Sequence, residues 1–332
     1  MTQLPPLSQA RRLSIAPMMD WTDRHCRYFH RQLSRHALLY TEMITAAAIV
    51  HGDAERLLAY DVAEHPLILQ LGGSEPELLA RAVKIAAPYG YDGFDLNCGC
   101  PSDRVQSGAF GAVLMKSPIL VAECVNAMQG ASASPVSVKC RIGVDDQAPE
   151  DALPKFVETI AAAGVTDVTI HARKAWLQGL SPKENRDIPP LDYDLAAHIK
   201  ARFPQLYVTL NGGITSLDMA EAALARGFDG VMIGRAAYHD AGAVLGQADA
   251  RIFGAAPGPG AVGAVHAMLP YIEAQLAQGL RLNAITRHML GAFSAIPGAR
   301  QWRRILSEGA HKPGAGPELV ERALAEITRL AA

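Results

Sequence analysis

The chain has 332 residues, 49% of them hydrophobic and 19% charged, with a formal net charge of −2. That composition excludes a disordered chain and argues against a general nucleic-acid binder, and the length suffices for one large domain plus a smaller one. No apolar run approaches the ~18 residues of a membrane span, the start Met1-Thr-Gln-Leu-Pro-Pro6 reads as a short tail rather than a signal peptide, and five scattered cysteines fit reduced thiols in the cytoplasm.

Eight short apolar, β-branched runs recur along the chain: Leu13–Met18, Ala37–Met43, Leu67–Leu71, Gly93–Asn97, Val136–Cys140, Asp167–His171, Tyr207–Asn211 and Gly230–Gly234. Most read as near-continuously hydrophobic, as parallel strands covered on both faces do. Between them, Glu75–Ala87, Ile119–Met128, Asp151–Ala163 and Leu217–Arg226 carry apolar positions three and four apart and are predicted helices. Ser74 before Glu75-Pro76-Glu77 marks a helix start. Eight β/α units predict a (β/α)8 TIM barrel, an α/β fold, over residues 1–250. A doubly wound sheet is the weaker option, because no Gly-rich dinucleotide turn follows the first strand.

Composition then shifts to a Pro/Gly-rich linker, placed at residues 251–263, and residues 264–332 hold only helical patterns, which predicts a small C-terminal all-helical domain. Gly258-Pro-Gly-Ala-Val-Gly263 matches the dinucleotide fingerprint formally, but neither a preceding strand, nor a helix start, nor an acid about 20 positions on is convincing there, and the flanking prolines favour a hinge. The tail has no acidic residue between Glu273 and Glu308, while Arg281, Arg287, Arg300, Arg303 and Arg304 fall in that window. Such a basic face on a near-neutral protein predicts a specific polyanionic partner.

Cys100 stands between Gly99 and Pro101 where the fourth run ends. Glycine frees the backbone and proline cannot continue a ladder, so this thiol is expected on a turn at a strand's C-terminal rim. There it could serve as nucleophile, ligand or acid. In a barrel the active site lies at those rims, and the strands end on Gln70, Asn97, Lys139, Arg141, His171, Arg173, Asn211 and Arg235. Asn211-Gly212-Gly213-Ile214 and Ile233-Gly234-Arg235-Ala236 follow the last two runs, where barrels frequently bind phosphate through backbone N–H groups. Pro17, Met18 and Met19 close the first run and suit an apolar floor for a flat ring, with Lys139 to neutralise its charge. Flat ring, phosphate tail and amide-bearing rim together suggest flavin mononucleotide. No metal is expected, since no His-x-x-x-His pair exists and Cys98 and Cys100 lack a second ligand pair.

The segments Ala16-Pro-Met-Met-Asp-Trp-Thr-Asp23, Leu69-Gln-Leu-Gly-Gly73, Asp95-Leu-Asn-Cys-Gly-Cys-Pro-Ser102, Val138-Lys-Cys-Arg-Ile-Gly143, Thr169-Ile-His-Ala-Arg173, Asn211-Gly-Gly-Ile214 and Ile233-Gly-Arg-Ala236 resemble the tRNA-dihydrouridine synthase family, in order along the barrel. Ser181–Pro190 and Ile296–Arg303 resemble its DusA subgroup, which reduces uridines 20 and 20a of the tRNA D-loop. The resemblance implies an FMN-dependent oxidoreductase using NADPH or NADH. It implies FMN held by Pro17, Met18, Met19, Gln70, Lys139, His171, Asn211, Gly212, Gly213, Gly234 and Arg235. Cys100 would be the proton donor to uracil C5 as hydride reaches C6, and Asn97 would touch the uridine. Lys183, Arg186, Arg300 and Arg303 would orient the tRNA, with residues 264–332 as a tRNA-binding domain of a cytoplasmic monomer. An unperturbed thiol, pKa ~8.5, is mostly protonated at neutral pH and so able to act as an acid. Cys98 reads as packing. Two alternatives stand beside this: a flavin enzyme acting on a free pyrimidine, resembling dihydroorotate dehydrogenase, and a non-catalytic tRNA-binding protein.

Overall fold

The computed structural model describes residues 6–102 and 110–331, so most of the expected amino-terminal tail lies outside the described residues. Its strands are β1 (Leu13–Ile15), β2 (Leu39–Tyr40), β3 (Ile44–Thr45), β4 (Leu67–Gly72), β5 (Gly93–Cys98), β6 (Val136–Arg141), β7 (Asp167–His171), β8 (Tyr207–Asn211) and β9 (Gly230–Ile233). They pair in parallel in the order β1-β9-β8-β7-β6-β5-β4-β2, with β3 an extra short partner of β4. The remaining seam closes through Ile15 N–H to Leu38 O and Leu38 N–H to Leu13 O, both 2.9 Å. The result is the expected (β/α)8 barrel.

Side chains leave these strands alternately. Leu67, Leu69 and Leu71, Leu96 and Cys98, Val136, Val138 and Cys140, Val168 and Ile170, and Val208 and Leu210 join one hydrophobic core with the outer helices. The intervening positions fill the barrel interior, and many are polar: Gln70, Asp95, Asn97, Ser137, Lys139, Thr169, Thr209 and Asn211 are all buried. From β4 to β8 the inward face is therefore largely polar, and reading the runs as continuously hydrophobic concealed a polar period of two. Near the bottom of the barrel Arg11 pairs with Asp167 at 2.7 Å, both nearly buried. An apolar patch of Ala16, Leu38, Tyr40, Ile68 and Met232 fills part of the interior.

Two expected strands are shorter than their apolar runs. The first stops at Ile15, because Pro17 has no N–H and Met18 N–H turns to Thr22 Oγ1 at 2.9 Å. The second breaks after Tyr40: Thr41 Oγ1 accepts Gln70 N–H at 3.0 Å, a place in the ladder that a backbone carbonyl would otherwise take, and donates to Glu42 O at 2.8 Å. The helix expected to start at Ser74 begins at Pro76, with Glu75 in the cap position and no side-chain cap bond. Its Leu79, Ala82, Val83 and Ala86 are buried at helical spacing against the barrel.

After β9, helices run over Arg235–His239, Ala241–Leu245 and Ala248–Phe253, and the next begins at Gly260. The stretch expected as linker over 251–263 is thus helix-free only from Gly254 to Pro259; a helix rather than a strand precedes the Gly258–Gly263 motif, and, contrary to expectation, a helix does start inside it at Gly260. The helix Gly260–Ala277 packs on the barrel helix Arg24–Leu33. Tyr271 stacks on Tyr28 with centroids 3.9 Å apart, and its hydroxyl meets His25 Nδ1 at 2.7 Å. Helices Ala299–Gly309 and Pro317–Ala331 complete the tail around Trp302, which is fully buried and donates its indole N–H to Met289 O at 3.1 Å.

Candidate active site

Parallel register brings the strand ends side by side: Gln70 opposite Asp95, Asn97 opposite Lys139, and His171 between Arg141 and Asn211. All are buried or nearly so at the C-terminal rim. Lys139 Nζ reaches past β7 to Asn211 Oδ1 at 3.1 Å, and Asn211 Nδ2 donates to Met232 O at 2.8 Å. Burial first, then neighbouring Arg141, lowers the Lys139 ammonium from 10.5 to about 8. Burial, reinforced by Arg141, Lys139, Arg173 and Arg186, pushes His171 well below the usual imidazole range, so it is neutral at pH 7.

Cys100 is half-buried, whereas Cys26, Cys98, Cys124 and Cys140 are buried. Its loop is held from below by Asn97, whose Oδ1 accepts the N–H groups of Gly99 (3.1 Å) and Cys100 (2.9 Å). The Cys100 thiol lies 3.5 Å from Ser102 Oγ, and Cys100 O accepts Ala112 N–H at 2.9 Å. Arg141 pins the same loop from the side. Its Nε donates to Gly99 O at 3.0 Å while Nη1 donates to Asn185 O at 2.9 Å and Lys174 O at 3.3 Å. Arg141 was legible as a rim cation but not as the clamp joining the loops after β5 and β7.

The glycine-bearing side of the rim is built from β7, β8 and β9. Gly212 and Gly213 take φ of +108° and +70°, and a Cβ on Gly212 would stand 2.6 Å from His171 Cδ2. Tyr193 OH donates to Gly212 O at 2.6 Å and holds the turn. Gly234 packs near Met18 and Ala16, which brings the turn after β9 beside the segment expected to form an apolar floor. Met19 is 55% exposed and stands outside that floor. Arg235 Nη2 bonds Asp187 Oδ1 at 2.7 Å, and Arg173 Nη1 donates to the carbonyls of Asp187 and Pro189. Arg173 Nε is buried without a hydrogen-bond partner among the described residues. Burial and Arg235 lower Arg186. Arg141, Arg173, Arg186, Arg235 and Lys139 thus crowd one rim, and Asp187 and Tyr193 are partners that sequence spacing did not single out.

An orphaned guanidinium N–H, a glycine turn that a Cβ would fill, and a buried ammonium whose charge burial disfavours all fit a phosphate-bearing cofactor with an anionic ring. The rim residues fit FMN in that sense. Among the described residues no group of three His, Cys, Asp or Glu side chains could hold a metal ion.

The remaining expected residues lie apart from this rim. Lys183 is exposed before the turn Glu184–Arg186. Arg300 and Arg303 share the outer face of helix Ala299–Gly309, opposite buried Trp302 and Leu306, and have no ion pair among the described residues. Arg287 does not belong to the basic face: it pairs with Asp23 at 2.7 Å, beside His288 at 3.0 Å on the same carboxylate. No helix of the described residues is long and apolar enough to cross a membrane.

A family model described as Dihydrouridine synthase (Dus) matches residues 14–328. The chain is 56% identical over 325 residues to the tRNA-dihydrouridine(20/20a) synthase of Xanthomonas campestris pv. campestris, covering 97% of this chain and 96% of that one. It is 57% identical over 318 residues to the enzyme of the same name from Vibrio cholerae, covering 95% and 96%. With that of Escherichia coli K12 it shares 56% over 315 residues, covering 94% and 90%. Among solved structures, an old yellow enzyme homologue from Zymomonas mobilis superposes with a TM-score of 0.50 at 14% identity, covering 69% of this chain and 86% of the other, a likeness of fold alone. A match running from β1 into the last helix, with near full-length relatives well above half identical, means that this chain belongs to the dihydrouridine synthase family.

Proposed function

We propose that the protein reduces the 5,6 double bond of uridine in tRNA, at D-loop positions 20 and 20a, with bound FMN and with NADPH or NADH as reductant. One observation carries this reading: the half-buried Cys100 thiol is held by Asn97 at a rim that also gathers the buried cations Lys139 and Arg141, in a chain of this family. FMN, when bound, supplies hydride chemistry to uracil C6. Cys100 holds the proton for C5 at its Sγ, on the loop that Asn97 and Arg141 keep in place. Asn97 Oδ1 is committed to the loop and one Nδ2 hydrogen to Gln70, so it meets the uracil with the other. Lys139 counters charge on the ring, Gln70 and Asn211 orient it, and Pro17 and Met18 exclude water beneath it. Gly212, Gly213, Gly234, Arg235 and neutral His171 hold the phosphate side. Residues 1–250 are then the catalytic barrel and 264–332 the tRNA-binding part, in a cytoplasmic monomer.

A stacked uridine reaches a barrel rim only when extruded, at a cost of a few kcal/mol that phosphate contacts offset. Lys183, Arg186, Arg300 and Arg303 supply those contacts. The test is dihydrouridine mapping at positions 20 and 20a in tRNA from cells lacking the protein, with purified Cys100→Ala in parallel. Loss of the modification is expected in the cells. The variant is expected to bind FMN and accept electrons from NADPH yet form no product. Unchanged tRNA in the deleted cells, or faster turnover of free uridine or orotate than of tRNA, would overturn the proposal.

A further inference from the structure

Asp95 has no place in the chemistry above, yet it is a carboxyl group with no solvent exposure at the centre of the barrel. Its two oxygens accept from Gln70 Nε2 at 2.7 Å and Ser137 Oγ at 2.8 Å. Gln70 passes the order upward: with its NH2 committed to Asp95, its Oε1 must face the rim, where it accepts Asn97 Nδ2 at 2.9 Å. Asn97 is thereby oriented too, and its Oδ1 accepts the Gly99 and Cys100 N–H groups. A side-chain amide can usually turn end for end at little cost, because its two ends have the same shape. Here each amide has a single arrangement, since a flip of Gln70 would set NH2 against NH2 at Asn97, and a flip of Asn97 would set NH2 against two backbone N–H groups.

We infer that Asp95 is a positioning residue whose carboxylate, through the amides of Gln70 and Asn97, sets the place of the Cys100 loop and the face that Gln70 offers to the flavin. The inference rests on the proposed function for its meaning in catalysis, but its geometry does not. Asp95 also lies near charged groups: Lys139 on β6 and Arg11 below favour its ionised form, while burial raises it to about 6. A counter-ion role toward Lys139 is the rival explanation, and the two part company at one substitution. An asparagine at 95 keeps the order, because its Oδ1 still accepts from Gln70 while its NH2 donates to Ser137 Oγ, whose hydroxyl turns fully to Phe94 O, already 3.3 Å away. An alanine removes the acceptor and leaves both amides free to turn.

The experiment measures two properties of the purified protein: iodoacetamide labelling of Cys100, followed by peptide mass spectrometry, and FMN affinity by fluorescence quenching. Asp95→Ala is expected to label at least about threefold faster and to bind FMN about tenfold more weakly, the scale of one lost buried hydrogen bond. Asp95→Asn is expected to stay within about twofold of wild type on both. Wild-type behaviour in Asp95→Ala overturns the inference, and so does equal damage in the two variants, which would assign Asp95 to charge balance. Gln70→Met, which cuts the chain one link higher, decides the labelling arm if Asp95→Ala does not fold, and unchanged labelling there overturns the inference as well. Failure of wild type to bind FMN would refute the function proposed above, while the labelling comparison still decides this one.

Discussion

Lys139→Met separates what the barrel needs to stand from what it needs to bind. Burial lowers the Lys139 ammonium from 10.5 to about 8, which corresponds to about 3 kcal/mol held against the charged form in the fold. A methionine of similar length removes that cost. It leaves Asn211 Oδ1 without its 3.1 Å donor, at about 1 kcal/mol. The flavin-free variant is therefore expected to be about 1–2 kcal/mol more stable than wild type at pH 7. The pH dependence follows from the direction of the shift. Between about 8 and 10.5 the unfolded chain holds this proton and the folded one does not, so wild-type stability gains on the variant across that window and the gap closes. Flavin affinity moves the other way, falling about tenfold to a hundredfold with the loss of one charge-assisted contact. Urea unfolding of both proteins at pH 7 and pH 9.5, with an FMN titration at pH 7, measures each quantity. A variant at least about 2 kcal/mol less stable at pH 7, or one that binds FMN as well as wild type, would refute the reasoning.

Gly212→Ala places a Cβ 2.6 Å from His171 Cδ2 at a φ of +108°. Strain of about 1–3 kcal/mol is expected in the unfolding free energy, with FMN occupancy reduced severalfold in the purified protein. Charge reversal at Arg300 and Arg303 on the outer face of helix Ala299–Gly309 should weaken tRNA binding and flatten its salt dependence by about 0.7–0.9 per lost phosphate contact, read from affinities across a salt series; an unchanged slope removes this helix from the interface. Glu42 has a buried Oε1 without a hydrogen-bond partner among the described residues, and burial beside Asp23 and Asp20 raises its carboxyl from 4.5 to about 7. Its ionisation is thus a growing penalty as pH climbs through that range, and Glu42→Gln should gain about 2–3 kcal/mol on wild type between pH 4 and pH 8 in matched unfolding curves. A constant difference between the two proteins would show that Glu42 titrates normally.

What was legible in the sequence, and what was not, divides along a physical line. Strand ends were visible because an apolar run closing on Gln70, Asn97, His171 or Asn211 marks the point where the barrel meets its rim, and the glycines at 212 and 213 announced a backbone that residues with a Cβ rarely adopt. The interior network was written in the same runs but with period two. Asp95, Ser137 and Thr169 alternate with outward Phe94, Val138 and Val168, and counting hydrophobic content alone averaged them away. The break in the second run turned on a single hydroxyl, Thr41, replacing a carbonyl in the ladder, which no propensity records. Arg287 was misplaced for a different reason. Its carboxylate partner, Asp23, is 264 residues distant, and a window that counts charges along the chain sees only local neighbours. Asp23 itself caps the helix Arg24–Leu33 through the His25 and Cys26 N–H groups. The same carboxylate that caps the helix Arg24–Leu33 therefore also holds Arg287 and His288 of the tail, beside the loop carrying Pro17 and Met18. The cations left over on the tail are those that no carboxylate of the described residues neutralises, and Arg300 and Arg303 are among them. Subtracting internal partners, rather than counting arginines, is what turns a basic window into a candidate RNA surface.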